Sequence, residues 1–286
     1  MKLHKYDNIQ SFIKETFEIL LENEAQNNLL IADALGGKDV DISGWFVAAI
    51  KDNNGGILLT VISAPPYPIL IYETKNIRND KAVNLLINEI VGIDYKIKGV
   101  LAEQELSNRF AKTYQKITKN TFHKVLDMNL MICTDILKTP ECSGKMRPLT
   151  EDDLFYVPYW EVEFSRECEI EGHDLTRQIQ SCRNHIPKAN HFIWEDKIPV
   201  SQAVNGRDTI NGAVINGVYT PPLYRGRGYA TSCVANLSRL LFEEGKKFCC
   251  LFADAENPIS NGIYAKIGFK NACIQTELQL NEEIKC

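Results

Sequence analysis

From residue 218 to 231 the chain reads Val218-Tyr219-Thr220-Pro221-Pro222-Leu223-Tyr224-Arg225-Gly226-Arg227-Gly228-Tyr229-Ala230-Thr231. An apolar run leads into this stretch and an amphipathic run leads out of it. Glycine adopts left-handed backbone conformations without steric cost, so Gly226 and Gly228 let successive N–H groups turn inward together. The helix predicted to start near Tyr229 adds its own unpaired N–H groups and the positive end of its dipole. The backbone from Gly226 to Thr231, with Arg225 and Arg227 beside it, is therefore suited to hold a phosphate, and Val218 to Thr220 bring a strand to the same point.

Two familiar phosphate loops do not fit these residues. The pattern G-x-G-x-x-G/A needs a small apolar residue where Thr231 stands, and an acidic residue after a second strand, which is missing. The G-K-S/T of a P-loop is absent. After a helical pattern and the apolar run Phe248 to Ala253 comes a second informative segment, Asn257-Pro258-Ile259-Ser260-Asn261-Gly262-Ile263-Tyr264-Ala265-Lys266-Ile267-Gly268-Phe269. Asn261 and Tyr264 are three residues apart on one predicted helix, so both point to the same side, toward the end of the buried strand.

The spacing Arg225-x-x-Gly228-x-Ala230 between strand and helix, followed by an Asn-containing segment that ends in Tyr264-x-x-x-Gly268-Phe269, resembles the acetyl-CoA pattern of the GNAT superfamily of N-acyltransferases. The resemblance implies acetyl-CoA as acyl donor, without a metal. It implies that Val218, Tyr219 and Thr220 pair with the pantetheine arm, one N–H facing the thioester carbonyl. Arg225 to Thr231, Tyr229 and Ala230 included, would hold the pyrophosphate. Asn257, Ser260 and Asn261 fall where side chains of the family meet the pantetheine or pyrophosphate region, and Tyr264 matches the general acid that protonates the departing thiolate. Gly262 departs from the larger residues common at its position.

Acetyl transfer to an alkyl amine of pKa ~10 also requires a base, because such an amine is almost fully protonated at neutral pH. A pocket carboxylate or a chain of waters would each serve. Glu163, Glu167 and Glu169, at the end of one predicted helix and in the loop that follows, are candidates for binding a cationic amine. His173, His185 and His191 lack metal-ligand spacing, so no metal site is expected. The acceptor expected is the primary amine of a small molecule. A noncatalytic acyl-CoA sensor and an enzyme acting on a protein amine are the alternatives.

The elements needed to position these groups are legible from periodicity. The 286 residues suffice for two domains, and the elements hairpin, strand, helix, strand, helix, strand occur twice. The expected architecture is α/β of the α+β type, with two GNAT-like domains, each a mixed central sheet flanked by helices. Residues 1–142 form the amino-terminal one, which is degenerate: Glu73 to Asp80 replace the glycine turn, so no phosphate cradle is expected there. Residues 143–286 form the acetyl-CoA-binding one. The nine cysteines are scattered without a C-x-x-C pair, which suits reduced packing residues. A net charge of −5 argues against nonspecific nucleic-acid binding. No apolar run reaches membrane-spanning length and the start has no signal-peptide core. The expectation is a cytoplasmic monomer or homodimer.

Overall fold

The computed structural model describes every residue except 75–77, 138–141, 169–173 and 282–286. The chain divides into two compact units, Met1–Leu130 with Asp254–Glu256 and Ala272–Cys286, and Met131–Ala253 with Asn257–Asn271.

In the first unit, β1 (Lys2–Lys5) precedes α1 (Ile9–Leu21) and α2 (Asn28–Gly36). The apolar residues between Ile9 and Leu30 are thus divided between two helices. The reason is local: the buried Asn27 side chain donates to the Leu20 carbonyl at 2.9 Å and competes with continuation of the helix. Strands β2 (Phe46–Lys51), β3 (Ile57–Ser63) and β4 (Ile69–Glu73) then run antiparallel. Helix α3 (Asp80–Gly92) buries Val83, Leu86, Ile87 and Ile90, and its cap is the Asn79 side chain, which accepts from the Ala82 N–H. Strand β5 (Gly99–Glu103) lies parallel to β4, and α4 (Gln104–Thr118) and β6 (Phe122–Cys133) follow.

The second unit begins with β7 (Lys145–Pro148), α5 (Val157–Glu167) and α6 (Leu175–His185). An antiparallel run β8 (His191–Asp196), β9 (Ile198–Asp208) and β10 (Gly212–Tyr219) comes next. Then come α7 (Tyr229–Glu243), β11 (Phe248–Asp254) parallel to β10, α8 (Pro258–Ile267) and β12 (Lys270–Leu280). Alternation along β8 serves two layers. Phe192 and Trp194 pack with Val234, Leu237 and Leu241 of α7, while Ile193 faces Val157 of α5 and Cys182 of α6.

A division at residue 142 does not coincide with these units. Residues 272–280 of β12 belong to the first unit and pair antiparallel with β5, from Gln275 opposite Glu103 to Gln279 opposite Gly99. Residues 131–133 at the end of β6 instead join the core of the second unit, where Cys133 is fully buried. Each unit therefore includes residues from the other side of residue 142, 272–280 of β12 in the first and 131–133 of β6 in the second.

The first unit also shows why its helix start differs in chemistry from that of α7. Glu73, at the end of β4, accepts the Asn79 N–H at 2.9 Å and is paired with Arg109, which also donates to Asp80 at 3.1 Å. A carboxylate of the chain itself takes the place of an anion at the start of α3.

The second unit is anchored at its start by Asp153, which is 1 % exposed. Both guanidinium nitrogens of Arg147 reach it, at 2.7 and 2.8 Å, and it accepts from the Thr150 N–H, the Thr150 hydroxyl and Tyr156. Burial alone would raise its pKa, but these hydrogen bonds outweigh it and hold the carboxyl at about 2. The folded value lies below the unfolded one, so this contribution is complete above pH ~4 and is lost as pH falls toward 2. It amounts to on the order of 2 kcal/mol. In urea titrations the wild-type midpoint should exceed that of Asp153→Asn at pH 7, and the gap should close between pH 4 and 2; a constant gap would remove this assignment.

Candidate functional site

Strand β10 carries the first half of the site. It pairs with β11 only from Gly212 opposite Phe248 to Val214 opposite Cys250. Beyond Val214 the ladder stops, and on its other edge β10 slips register against β9 between Asn216 and Tyr219. Gly217, at φ +57, sits inside that irregularity, a conformation costly for any other residue. The backbone of Ile215 to Tyr219 is thus an extended edge without a ladder partner on the β11 side among the described residues. Such an edge can hydrogen-bond an extended amide-bearing ligand as an added strand.

The strand leads directly into the turn. Pro222–Tyr224 make one 3-10 turn, after which Gly226 (φ +76) and Gly228 (φ +82) are both left-handed. No side chain caps α7. Its first N–H groups therefore remain available, as an anion site requires. Within 4 Å a β-carbon on Gly226 would meet nothing, and one on Gly228 only Cys142 at 3.8 Å. Backbone conformation, not crowding within the fold, demands glycine at both positions.

The side chains around the turn are placed less uniformly. Arg227 is exposed and forms no ion pair among the described residues. Arg225 folds back instead: it donates to the Thr220 carbonyl at 2.8 Å, grips both oxygens of Glu167 at 2.7 and 2.8 Å, and lies 5.6 Å from the Tyr219 ring. It braces the approach to the turn rather than reaching toward a phosphate. Tyr229 turns its hydroxyl to Asp196 at 2.7 Å, and Thr220 exchanges a hydroxyl hydrogen bond with Ser201 at 2.8 Å. Val218 packs against the core on the α7 side, and Ala230 and Thr231 form the half-buried first turn of α7.

Helix α8 supplies the other wall. Asn257 is its cap, accepting from the N–H groups of Ile259 and Ser260 at 3.1 Å, and its own carbonyl receives Ser260 Oγ at 3.2 Å and Asn261 Nδ2 at 2.7 Å. In this structure all three side chains expected to meet the cofactor hold the start of α8. Gly262 has open space about it, so no neighbour explains the missing side chain. Tyr264 is 8 % exposed and lies edge-on to Phe269. Its hydroxyl has no hydrogen-bond partner among the described residues. Burial, with a smaller contribution from Cys168 at the end of α5, raises its pKa above the usual phenol range, so it holds its proton at physiological pH.

Of the carboxylates expected to line a pocket, Glu163 forms an exposed pair with Arg166 at 2.7 Å and Glu167 is committed to Arg225. Glu169 lies outside the described residues. Neither paired group offers a free charge to an amine, because its counterion is already at contact distance. The carboxylate that does lie against β10 is Glu161, two residues before Glu163 on α5, where it accepts from Gln202 beside Gly217. Sequence reading passed over it because nothing local separates it from the other glutamates of α5. Among the described residues no grouping of His, Cys, Asp and Glu is arranged to hold a metal, and no helix is long and apolar enough to cross a membrane.

Comparison with known proteins agrees with this geometry. The family model described as FR47-like protein matches residues 197–278, which contain β9, β10, the turn, α7, β11 and α8. No curated protein matches the chain by sequence. Among solved structures, a GCN5-related N-acetyltransferase from Sphaerobacter thermophilus superposes with a TM-score of 0.64 at 12% identity, covering 97% of this chain and 95% of that one. A GNAT-family acetyltransferase from Colwellia psychrerythraea gives 0.59 at 12% identity, covering 98% and 100%. A tandem GNAT protein from the clavulanic acid biosynthesis pathway gives 0.54 at 11% identity, covering 97% of each. At such identities the likeness speaks for the fold alone: over nearly its whole length the chain has the fold of these acetyltransferases, and the stretch that resembles the FR47-like family contains the turn.

Proposed function

We propose that the protein transfers an acetyl group from acetyl-CoA directly to the primary amine of a small molecule, both substrates being bound together. The observation that carries this reading is the continuity of the unpaired edge of β10 with the uncapped start of α7, through glycines at φ +76 and +82. A pantetheine arm needs an extended edge of amide groups, and a pyrophosphate needs convergent N–H groups at its end. A backbone N–H near Val218 is suited to meet the thioester oxygen as negative charge develops on it. Tyr264 supplies the proton for the leaving thiolate. No metal takes part in this scheme, and no nucleic acid or membrane is needed as a partner. The protein would act in the cytoplasm, as a monomer or homodimer.

The test is release of free thiol from acetyl-CoA against a panel of small primary amines, with acetyl-CoA binding followed in parallel by calorimetry. Turnover with at least one amine supports the reading. Tight binding without turnover of any amine, peptide amines included, leaves a sensor. Turnover with peptide amines alone moves the acceptor to a protein.

The same titration counts sites. With Glu73 held by the Asn79 N–H and Arg109, the first unit offers a carboxylate where a phosphate would bind, so like charges oppose a second cofactor. Calorimetry should give one acetyl-CoA per chain, and Glu73→Gln should leave that stoichiometry unchanged because no glycine turn precedes α3. A second equivalent site in the wild type would overturn the assignment of the first unit.

A further inference from the structure

Helix α5 lays Glu161 against the irregular part of β10, its carboxylate oxygen 3.6 Å from where a β-carbon of Gly217 would stand. Gln202 of β9 holds it there. The Gln202 amide nitrogen donates both to Glu161 and, at 3.1 Å, to the Gly217 carbonyl, so the glutamate is tied to the same backbone kink that frees the edge of β10. The groups that face it from other elements carry no charge: the Gln202 amide from β9, Gly217 from β10 and the Cys182 thiol from α6. Burial, then Glu161 itself, pushes that thiol up to about 12, so it stays neutral. Behind Gln202, burial and His185 push His191 of β8 down to about 4, so it also is neutral at pH 7. On its own helix, Glu163 and Glu167 are engaged by Arg166 and Arg225. Glu161 is the carboxylate at the kink that no cation neutralises among the described residues.

We propose that Glu161 is the general base of the acetyl transfer, taking the proton from the ammonium form of the acceptor, with Gln202 as its positioning residue. This rests on the acetyl-transfer reading above. Burial raises Glu161 to about 7, against a lowering by Gln202. That closes about half the gap between an ordinary carboxylate and an alkyl ammonium of pKa ~10, while leaving much of the group ionised at neutral pH. Glu161 accepts one proton from the ammonium and passes it to water. The freed nitrogen forms the N–C bond and the C–S bond breaks; Tyr264 gives its proton to the sulfur and regains one from the nitrogen. Ammonium and thioester become amide, thiol and one released proton. A carboxylate with no cation beside it among the described residues suits an acceptor with one cationic amine.

The experiment is the pH dependence of kcat/KM for an accepted amine, in wild type, Glu161→Gln, Glu161→Asp and Gln202→Ala, with acetyl-CoA affinity measured for each. The wild type should rise through an apparent pKa near 7. Glu161→Gln should lose at least tenfold at pH 7 with acetyl-CoA affinity within twofold, and its loss should shrink as pH approaches that of the free amine. Glu161→Asp should keep an acid limb, and Gln202→Ala should move that limb to higher pH, since a bond favouring the carboxylate is gone. A limb near 7 that persists in Glu161→Gln, or a loss equal at every pH, overturns the role of Glu161 while leaving acetyl transfer intact. Absence of wild-type turnover with any amine overturns both.

Discussion

Replacing Tyr264 by Phe should lower kcat about a hundredfold, or about 2.7 kcal/mol in barrier, while the affinity for acetyl-CoA stays within twofold. The two effects separate because the hydroxyl is needed only as negative charge builds on the departing sulfur, an interaction absent from the ground state. Stability should change little. The hydroxyl has no hydrogen-bond partner among the described residues, so the variant orphans no buried group, and the ring keeps its edge contact with Phe269 at 6.0 Å between centroids. The raised pKa of Tyr264 sharpens the expectation: the phenol stays protonated across the neutral range, so the deficit should persist at every pH where Glu161 is ionised. Steady-state kinetics beside calorimetry decide it. An unchanged kcat would reduce Tyr264 to a packing aromatic.

Gly228→Val should weaken acetyl-CoA binding between tenfold and a hundredfold, about 1.4 to 2.7 kcal/mol. Gly228 precedes the first residue of α7 at φ +82, a region strained for a β-branched residue. The fold has room for the added β-carbon, its nearest neighbour being 3.8 Å away, so the variant should fold. What it cannot keep is the peptide orientation that aims the first N–H groups of α7 together. The affinity should fall without a matching loss in thermal stability, as read by calorimetry and by the unfolding midpoint. A folded variant that binds acetyl-CoA as the wild type does would exclude the turn as the pyrophosphate site.

These expectations draw on two kinds of information. The turn was legible because its chemistry is local: two glycines at alternate positions between an apolar strand and an amphipathic helix specify left-handed φ values and an uncapped helix start within a few residues. The inward face of α3 is local in the same way, since the spacing of Val83, Leu86, Ile87 and Ile90 admits one buried stripe. Even Asn257 was half legible. Asn before Pro marks a helix start, and the cap that the side chain makes there is the competing use that sequence alone did not weigh against cofactor contact.

The fates of the charged groups were not legible. Whether Glu161, Glu163 or Glu167 stands free depends on which arginine folds across and on which face of α5 is desolvated, and both are set by elements distant in sequence. Arg225 pairs with Glu167 across 58 residues, and Gln202 reaches Glu161 across 41. The amino-acid sequence by itself determined the elements, the glycine turn before α7 and the absence of one before α3, because backbone sterics and hydrophobic periodicity act over a few residues. Only the tertiary structure decided that β12 pairs with β5, that Glu73 fills its own helix start, and that Glu161 is, among the described residues, the carboxylate left unneutralised at the kink of β10. Strand pairing, ion pairing and desolvation depend on which surfaces meet, and no spacing along the chain encodes that.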